Sequence, residues 1–240
     1  MVARSPVLHR TRLTILTAVT AVAVCGTADG AAGAPTTVAD QVGVAQTSSS
    51  GVAAAPTIPV SAFFEMPTNM RRERQPSNGD AAVPKLCNRE LAAGAGAVAS
   101  AVMMNIYQGP NAPEGSIPDG VLYQTIRLYS GNSAAAYMNR VRAGLANCTS
   151  YRDGTSTVKV RSRALSGVAD EAVTIDLVRP QLDLPGNPTG GEQTNRVVVM
   201  RFGTAVTVLY DAEYERSSSV PAYVDIFVRE AAKAIRAWRG

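Results

Sequence analysis

The chain reads as an α+β domain: an antiparallel β-sheet of about five to six strands with two main helices packed on it. Three observations predict this. Several segments are rich in strand formers and place apolar residues at every second position. Two others repeat apolar residues at the helical period. The order is two strands, a helix, four strands and a helix, which differs from the strict strand-helix alternation of a parallel sheet.

The N-terminal part precedes this domain. Arg4, Arg10 and Arg12 lead into an apolar run from Leu13 to Val24, followed by the small residues Gly26, Thr27 and Ala28 and then Ala32, Gly33 and Ala34. This is the tripartite plan of a secretory signal over residues 1–34, and the run is shorter than the roughly 20 residues a membrane span needs. Cys25 follows the apolar run directly and so resembles the acylated cysteine of a lipoprotein signal, although Val24 stands where that pattern has Gly, Ala or Ser. Cleavage after Ala28 or Ala34 is the favoured reading and lipidation at Cys25 the alternative. Residues 35–57 hold Ala, Gly, Ser, Thr, Val and Pro with one charge, Asp40, and no aromatic residue. They read as a disordered linker.

The domain begins near Ile58, where Pro59, Phe63 and Phe64 form a short apolar arm. Arg71, Arg72, Glu73 and Arg74 precede Pro76, Asn78 and Gly79 and read as a solvated loop. Ala97 to Gln108 is the undecided sixth strand, because Ala-rich sequence also suits a helix. Val121 to Tyr129 is a strand. Ala134, Met138, Val141, Leu145 and Cys148 step by four, three, four and three and lie on one helical stripe, with Asn132 or Ser133 as N-cap. In Ser156 to Leu165, Val158 and Val160 alternate with Lys159, Arg161 and Arg163, so one face is solvated. Ala172 to Val178 places Val173, Ile175 and Leu177 on one side. Asp183 to Glu192 carries Pro185, Gly186, Pro188, Gly190 and Gly191 and reads as a mobile loop. Arg196 to Arg201 and Thr204 to Tyr210 flank Phe202-Gly203 as a tight hairpin. Pro221 to Trp238 is the second helix, with Val224, Val228, Ala231, Ile235 and Trp238 on one stripe and Ser219 as its cap.

Composition limits the chemistry. Of 240 residues, 46% are hydrophobic and 18% charged, which suits a globular domain. The one histidine, His9, lies in the leader, so the mature chain lacks the base of Ser-His-Asp and Cys-His catalysis and of the common zinc sites. Losing Arg4, Arg10, Arg12 and Asp29 takes 23 basic and 19 acidic residues to 20 and 18. That balance is no electrostatic footprint for nucleic acid. With Cys25 spent on targeting, Cys87 and Cys148 remain as an even pair in an oxidising compartment and predict a disulfide. Its loop of about 60 residues would stabilise the fold by roughly 4 kcal/mol on the chain-entropy model.

The strand VLYQTIRLYS, the helix AAAYMNRVRAGLANC ending in cysteine, the segment GVADEAV, the hairpin VVVMRFGTAVTVLYD and a final helix ending in Trp238 together resemble a known family. It is the actinobacterial extracellular sensor-domain family, typified by the periplasmic domain of PknH-type serine/threonine kinases and including free-standing secreted members. The likeness runs from about Ile58 to Gly240. It implies an α+β domain, a cleft for an unidentified ligand, and disulfides. The kinase-linked domain has two disulfides, whereas only Cys87 and Cys148 are available here. No kinase domain accompanies the sensor-like domain, so a signalling role would need a partner.

Candidate sites follow from residue type. Eight tyrosines outnumber the other aromatics, and Tyr123, Tyr129, Tyr210 and Tyr214 are the candidate ligand-binding set, suited to an amphipathic or sugar ligand by ring stacking and hydroxyl bonding. Asp211, Glu213 and Glu215 alternate and would share a face of an extended chain, which makes them weak calcium candidates. Asp170 and Glu171 are adjacent, so a strand would point them to opposite faces and defeat paired acid and base work. The expected function is therefore a secreted or envelope-anchored, non-catalytic sensor-type binding domain, with no cofactor. Its expected partner is a small envelope molecule or an envelope protein, with membrane contact only through a lipid anchor. A carboxylate-dependent hydrolase acting on envelope material and a structural surface protein are the alternatives.

Overall fold

The computed structural model describes residues 56–79, 82–113 and 115–240. The signal segment, Cys25 and the linker through residue 55 lie outside the described residues. A 3₁₀ turn at Val60–Ala62 is followed by β1 (Arg71–Pro76), β2 (Ala97–Tyr107), β3 (Gly120–Tyr129), α1 (Ser133–Asn147), β4 (Ser150–Asp153), β5 (Ser156–Ala164), β6 (Glu171–Leu182), β7 (Pro188–Phe202), β8 (Ala205–Ala212) and α2 (Pro221–Arg239). All eight strands join one sheet in the order β1-β2-β3-β8-β7-β6-β5-β4, and every neighbouring pair is antiparallel.

This corrects the expected fold class. Among the described residues the sheet has eight strands, not five to six, and with two α-helices the fold is mostly β. Two segments add strands and a third lengthens two others. Arg71–Pro76, expected as a solvated loop, is the edge strand β1. Its charges are what an exposed edge carries to prevent pairing with other chains. Ser150–Asp153 forms the opposite edge against β5. The segment expected as a mobile loop is mostly ladder: β6 and β7 stay paired out to Leu182 and Pro188, and the turn closes where Asp183 Oδ1 accepts the backbone N–H groups of Gly186 and Asn187 at 2.8 and 2.6 Å.

Both helices fall where their periodicity places them, with different capping. Asn132 is the N-cap of α1 but makes no side-chain cap bond. Val220, not Ser219, caps α2; the Ser219 hydroxyl instead accepts the Arg196 N–H at 2.9 Å and donates to the Asp211 carbonyl at 3.2 Å. Helix α1 is the crossover: β3 ends mid-sheet, α1 passes over one face, and the chain re-enters at the far edge as β4. It then walks back strand by strand until β8 pairs with β3.

Alternation sorts side chains between two faces. On one, Leu122 and Ile126 of β3, Leu209 of β8 and Val198 and Met200 of β7 pack against Val224, Phe227, Val228, Ala231 and Ile235 of α2, with Phe63, Phe64 and Met66 closing the layer. On the other, Val206 and Val208 of β8, Val197 and Val199 of β7 and Val173, Ile175 and Leu177 of β6 pack against Ala134, Tyr137, Met138 and Val141 of α1. The run Val197–Met200 is buried on both faces, which is why it shows no alternation of polarity.

Candidate functional site

The α1 face is only part covered by its helix. The rest is crossed by the segment from Ala82 to Gly94, which the Cys87–Cys148 disulfide ties to the end of α1 with an S–S distance of 2.01 Å. Side chains from below and above hold this segment. Leu91 C=O accepts from Tyr137 Oη at 3.1 Å and Arg127 Nη1 at 2.7 Å, and Ala93 C=O accepts from Tyr129 Oη at 2.7 Å. Arg140 Nη2 donates to Ala92 C=O at 2.6 Å.

Val83, Pro84 and Lys85 separate two clefts. One, of about 270 Å³, is lined beyond them by Tyr151, Asp153, Arg179 and Tyr210. The other, of about 220 Å³, is lined by Arg89, Ala92, Ala93 and Arg127. Alternation along β3 puts Tyr123, Thr125, Arg127 and Tyr129 on this face. Several polar atoms here are buried without a hydrogen-bond partner among the described residues: Thr125 Oγ1, both amide atoms of Asn195, and the Nε atoms of Arg127 and Arg179. Asn195 is 1% exposed. Such groups are uncommon in folded proteins and each calls for a partner.

Of the four tyrosines expected to bind ligand, the structure joins two. Tyr123 and Tyr210 are direct cross-strand partners and stack with centroids 6.3 Å apart. Tyr210 lines the larger cleft, and burial pushes its hydroxyl up to about 12 against the downward pull of Arg179. Tyr129 is instead a core residue 5.6 Å from the Tyr137 ring, its hydroxyl raised by burial. Tyr214 lies beyond β8, its N–H donating to Ser217 Oγ at 3.0 Å. Arg179, Arg127, Lys85 and Arg89 escaped the sequence reading, and Tyr151 is one of the eight tyrosines but not of the candidate set. Tyr151 and Arg179 reach the cleft from strands distant in sequence, and no local pattern marks them.

The three acids considered for calcium do not converge. Strand β8 ends at Ala212 and the chain turns, Glu215 and Arg216 taking φ 47° and 65°. Asp211 is buried on the α2 face, where Oδ1 accepts from Tyr107 Oη at 2.8 Å. Burial pushes its carboxyl up to about 6, against the Ser219 and Tyr107 hydroxyls and the charge of Arg196. Glu213 accepts from the Gln193 amide. Among the described residues no three His, Cys, Asp or Glu side chains gather around one metal position.

One solved structure is similar. It is the crystal structure of the extracellular domain of PknH from Mycobacterium tuberculosis, at 10% sequence identity and a TM-score of 0.44, over 69% of this chain and 86% of that one. No family model and no curated protein matches the chain.

A further cavity of about 430 Å³ lies between α1 and the β5–β6 edge, lined by Met138, Leu145, Ala164 and Val173. At its rim Glu171 is shared by Arg142 and by Arg201 Nε, the latter at 2.7 Å. Burial raises the Glu171 carboxyl, but the two guanidiniums outweigh it and hold the group below its ordinary range. Asp170 also reaches Arg201, at 3.5 Å, and accepts the Gly203 N–H at 2.7 Å. Both acids are thus engaged in closing the β7–β8 hairpin end.

Proposed function

We propose that residues 58–240 are a non-catalytic, sensor-type binding domain that works outside the cytoplasm and takes a small molecule of the cell envelope in the clefts of the α1 face. One observation carries this reading: the uncovered part of that face combines two clefts, a stacked tyrosine pair and buried polar atoms without partners. A buried polar atom left unpaired costs about 1–3 kcal/mol; Asn105 and Asp211 on the α2 face also carry such atoms among the described residues, so it is their meeting with the clefts and the tyrosine pair that distinguishes the α1 face. The export signal expected over residues 1–34 and the Cys87–Cys148 disulfide support work outside the cytoplasm. Among the described residues Asp153 is the single carboxylate lining the two clefts, and it is paired with Arg179 at 3.9 Å. The facing carboxylate pair of a glycoside hydrolase is not assembled there.

Native mass spectrometry of the protein purified from its own culture medium tests the proposal. The expected result is an adduct of small-molecule mass that is lost in the Tyr210→Ala, Tyr151→Ala double variant. A mass without adduct, together with no thermal stabilisation by a small-molecule extract of the envelope, overturns it.

A further inference from the structure

The smaller cleft differs from the larger in charge. Among the described residues Lys85, Arg89 and Arg127 line it, no carboxylate does, and none of the three is in an ion pair. Arg127 is 6% exposed. Its Nη1 is used by the Leu91 carbonyl and approaches Tyr137 Oη at 3.3 Å, while Nε has no acceptor. Among the described residues its partners are two neutral oxygens and the face of the Tyr137 ring, 5.8 Å from the guanidinium carbon, with no carboxylate to balance the buried charge. Elsewhere the sheet pairs such arginines: Arg196 Nε meets Asp176 at 2.6 Å and Arg201 Nε meets Glu171 at 2.7 Å. The buried acid nearest in sequence to the cleft, Glu90, is already engaged, its two oxygens accepting the Asn88 N–H at 3.1 and 3.0 Å.

We propose that this pocket is an oxyanion site, built on buried Arg127 with Lys85 and Arg89 at its mouth, that holds the phosphate or carboxylate group of an acidic small molecule. The assignment rests on the reading of the α1 face as a ligand site and adds the chemical class. A guanidinium offers parallel N–H donors that match a planar or tetrahedral oxyanion, and an ammonium adds a point charge. The volume of about 220 Å³ is below the roughly 300 Å³ at which pockets for whole drug-sized ligands begin, so it accommodates a head group. The remainder of the molecule then crosses Val83–Lys85 toward Tyr151 and Tyr210. Cys87 sits two residues from both Lys85 and Arg89, so the disulfide fixes the two cations before the anion arrives and lowers the cost of ordering them.

The test is a titration of the full mature protein with inorganic phosphate, and separately with acetate, at ionic strength held constant with sodium chloride, read as thermal midpoint and as calorimetric binding. A saturable rise with either anion is expected. Arg127→Gln should abolish it. Because that variant alters the core, Lys85→Gln and Arg89→Gln serve beside it: both positions are exposed, so the anion-free midpoint should stay unchanged while binding weakens about tenfold in each. No saturable response to either anion, or an equal response in the Lys85→Gln, Arg89→Gln double variant, overturns the proposal. Asp80 lies outside the described residues. If only Asp80→Asn responds to anion while the wild type does not, the cations serve an internal ion pair and the proposal falls. A neutral adduct retained from culture medium alongside a failed titration removes the oxyanion assignment and leaves the binding reading standing; an empty protein with a failed titration removes both.

Discussion

The two faces of the sheet receive one helix each and end up differently. On the α2 face a 19-residue helix, about 28 Å long, is supplemented by the Phe63–Met66 segment, and the layer is closed by rings: Phe64 against Phe227 at 5.9 Å and Tyr107 against Phe227 at 5.0 Å. On the α1 face the helix has 15 residues, about 22 Å, against a sheet roughly 34 Å broad across eight strands. A crossover of that length leaves part of the face to a disulfide-held loop, and clefts remain beside it. The lesson is that one sheet can be closed by a helix and an apolar arm on one side and left only part covered on the other.

If that division is right, the largest loss should come from the closed side. Phe227→Ala should cost about 3–5 kcal/mol in urea unfolding, since the ring is fully buried between Phe64 and Tyr107. A cost near 1 kcal/mol would break the comparison. On the open side the bracing is covalent: replacing Cys87 and Cys148 by serine should cost about 3–4 kcal/mol, given 61 residues of separation. Loss of anion and ligand binding should accompany it even where the variant remains folded.

A smaller effect concerns the buried carboxyl of the closed face. The folded-state pKa of Asp211 is raised from 3.8 to about 6, so the native state holds this proton more tightly than the unfolded chain. The associated stability is fully present below about pH 4 and is lost as pH rises through 6, a difference of about 3 kcal/mol. Asp211→Asn should flatten the falling limb between pH 4 and pH 7. Glu171, held low, acts in the opposite sense and at more acid pH, so it does not mimic this limb. If stability of the wild type rises steadily from pH 4 to pH 7, Asp211 is not the controlling group. The smallest effect should be Tyr210→Phe. It lines a cleft without a hydrogen bond from its hydroxyl among the described residues and should change stability by less than about 1 kcal/mol, while weakening any ligand that bonds that hydroxyl.

Sequence periodicity located α1 and α2 to within a residue or two, because a helix buries a stripe and the stripe is written at fixed spacing. It located the central strands equally well where valine and isoleucine alternate or run together. It failed at the edges. Arg71–Pro76 lacks strand formers because an edge strand faces water, and the β6–β7 extension is rich in Gly and Pro yet is held by its partner's ladder. Of the four candidate tyrosines, Tyr123 and Tyr210 meet across β3 and β8, whereas Tyr129 lies in the core and Tyr214 beyond β8, arrangements that depend on strand pairing and not on local pattern.

Local sequence, then, determined the helices, the central strands, the disulfide and the absence of histidine after His9, all of which depend on spacing or composition. The number of strands, the pairing of β3 with β8, and the meeting of Arg127 with Lys85 and Arg89 were decided by tertiary structure. Those contacts join residues about 40 to 90 positions apart, and only the crossover of α1 and the closure of the Cys87–Cys148 loop bring them to one face.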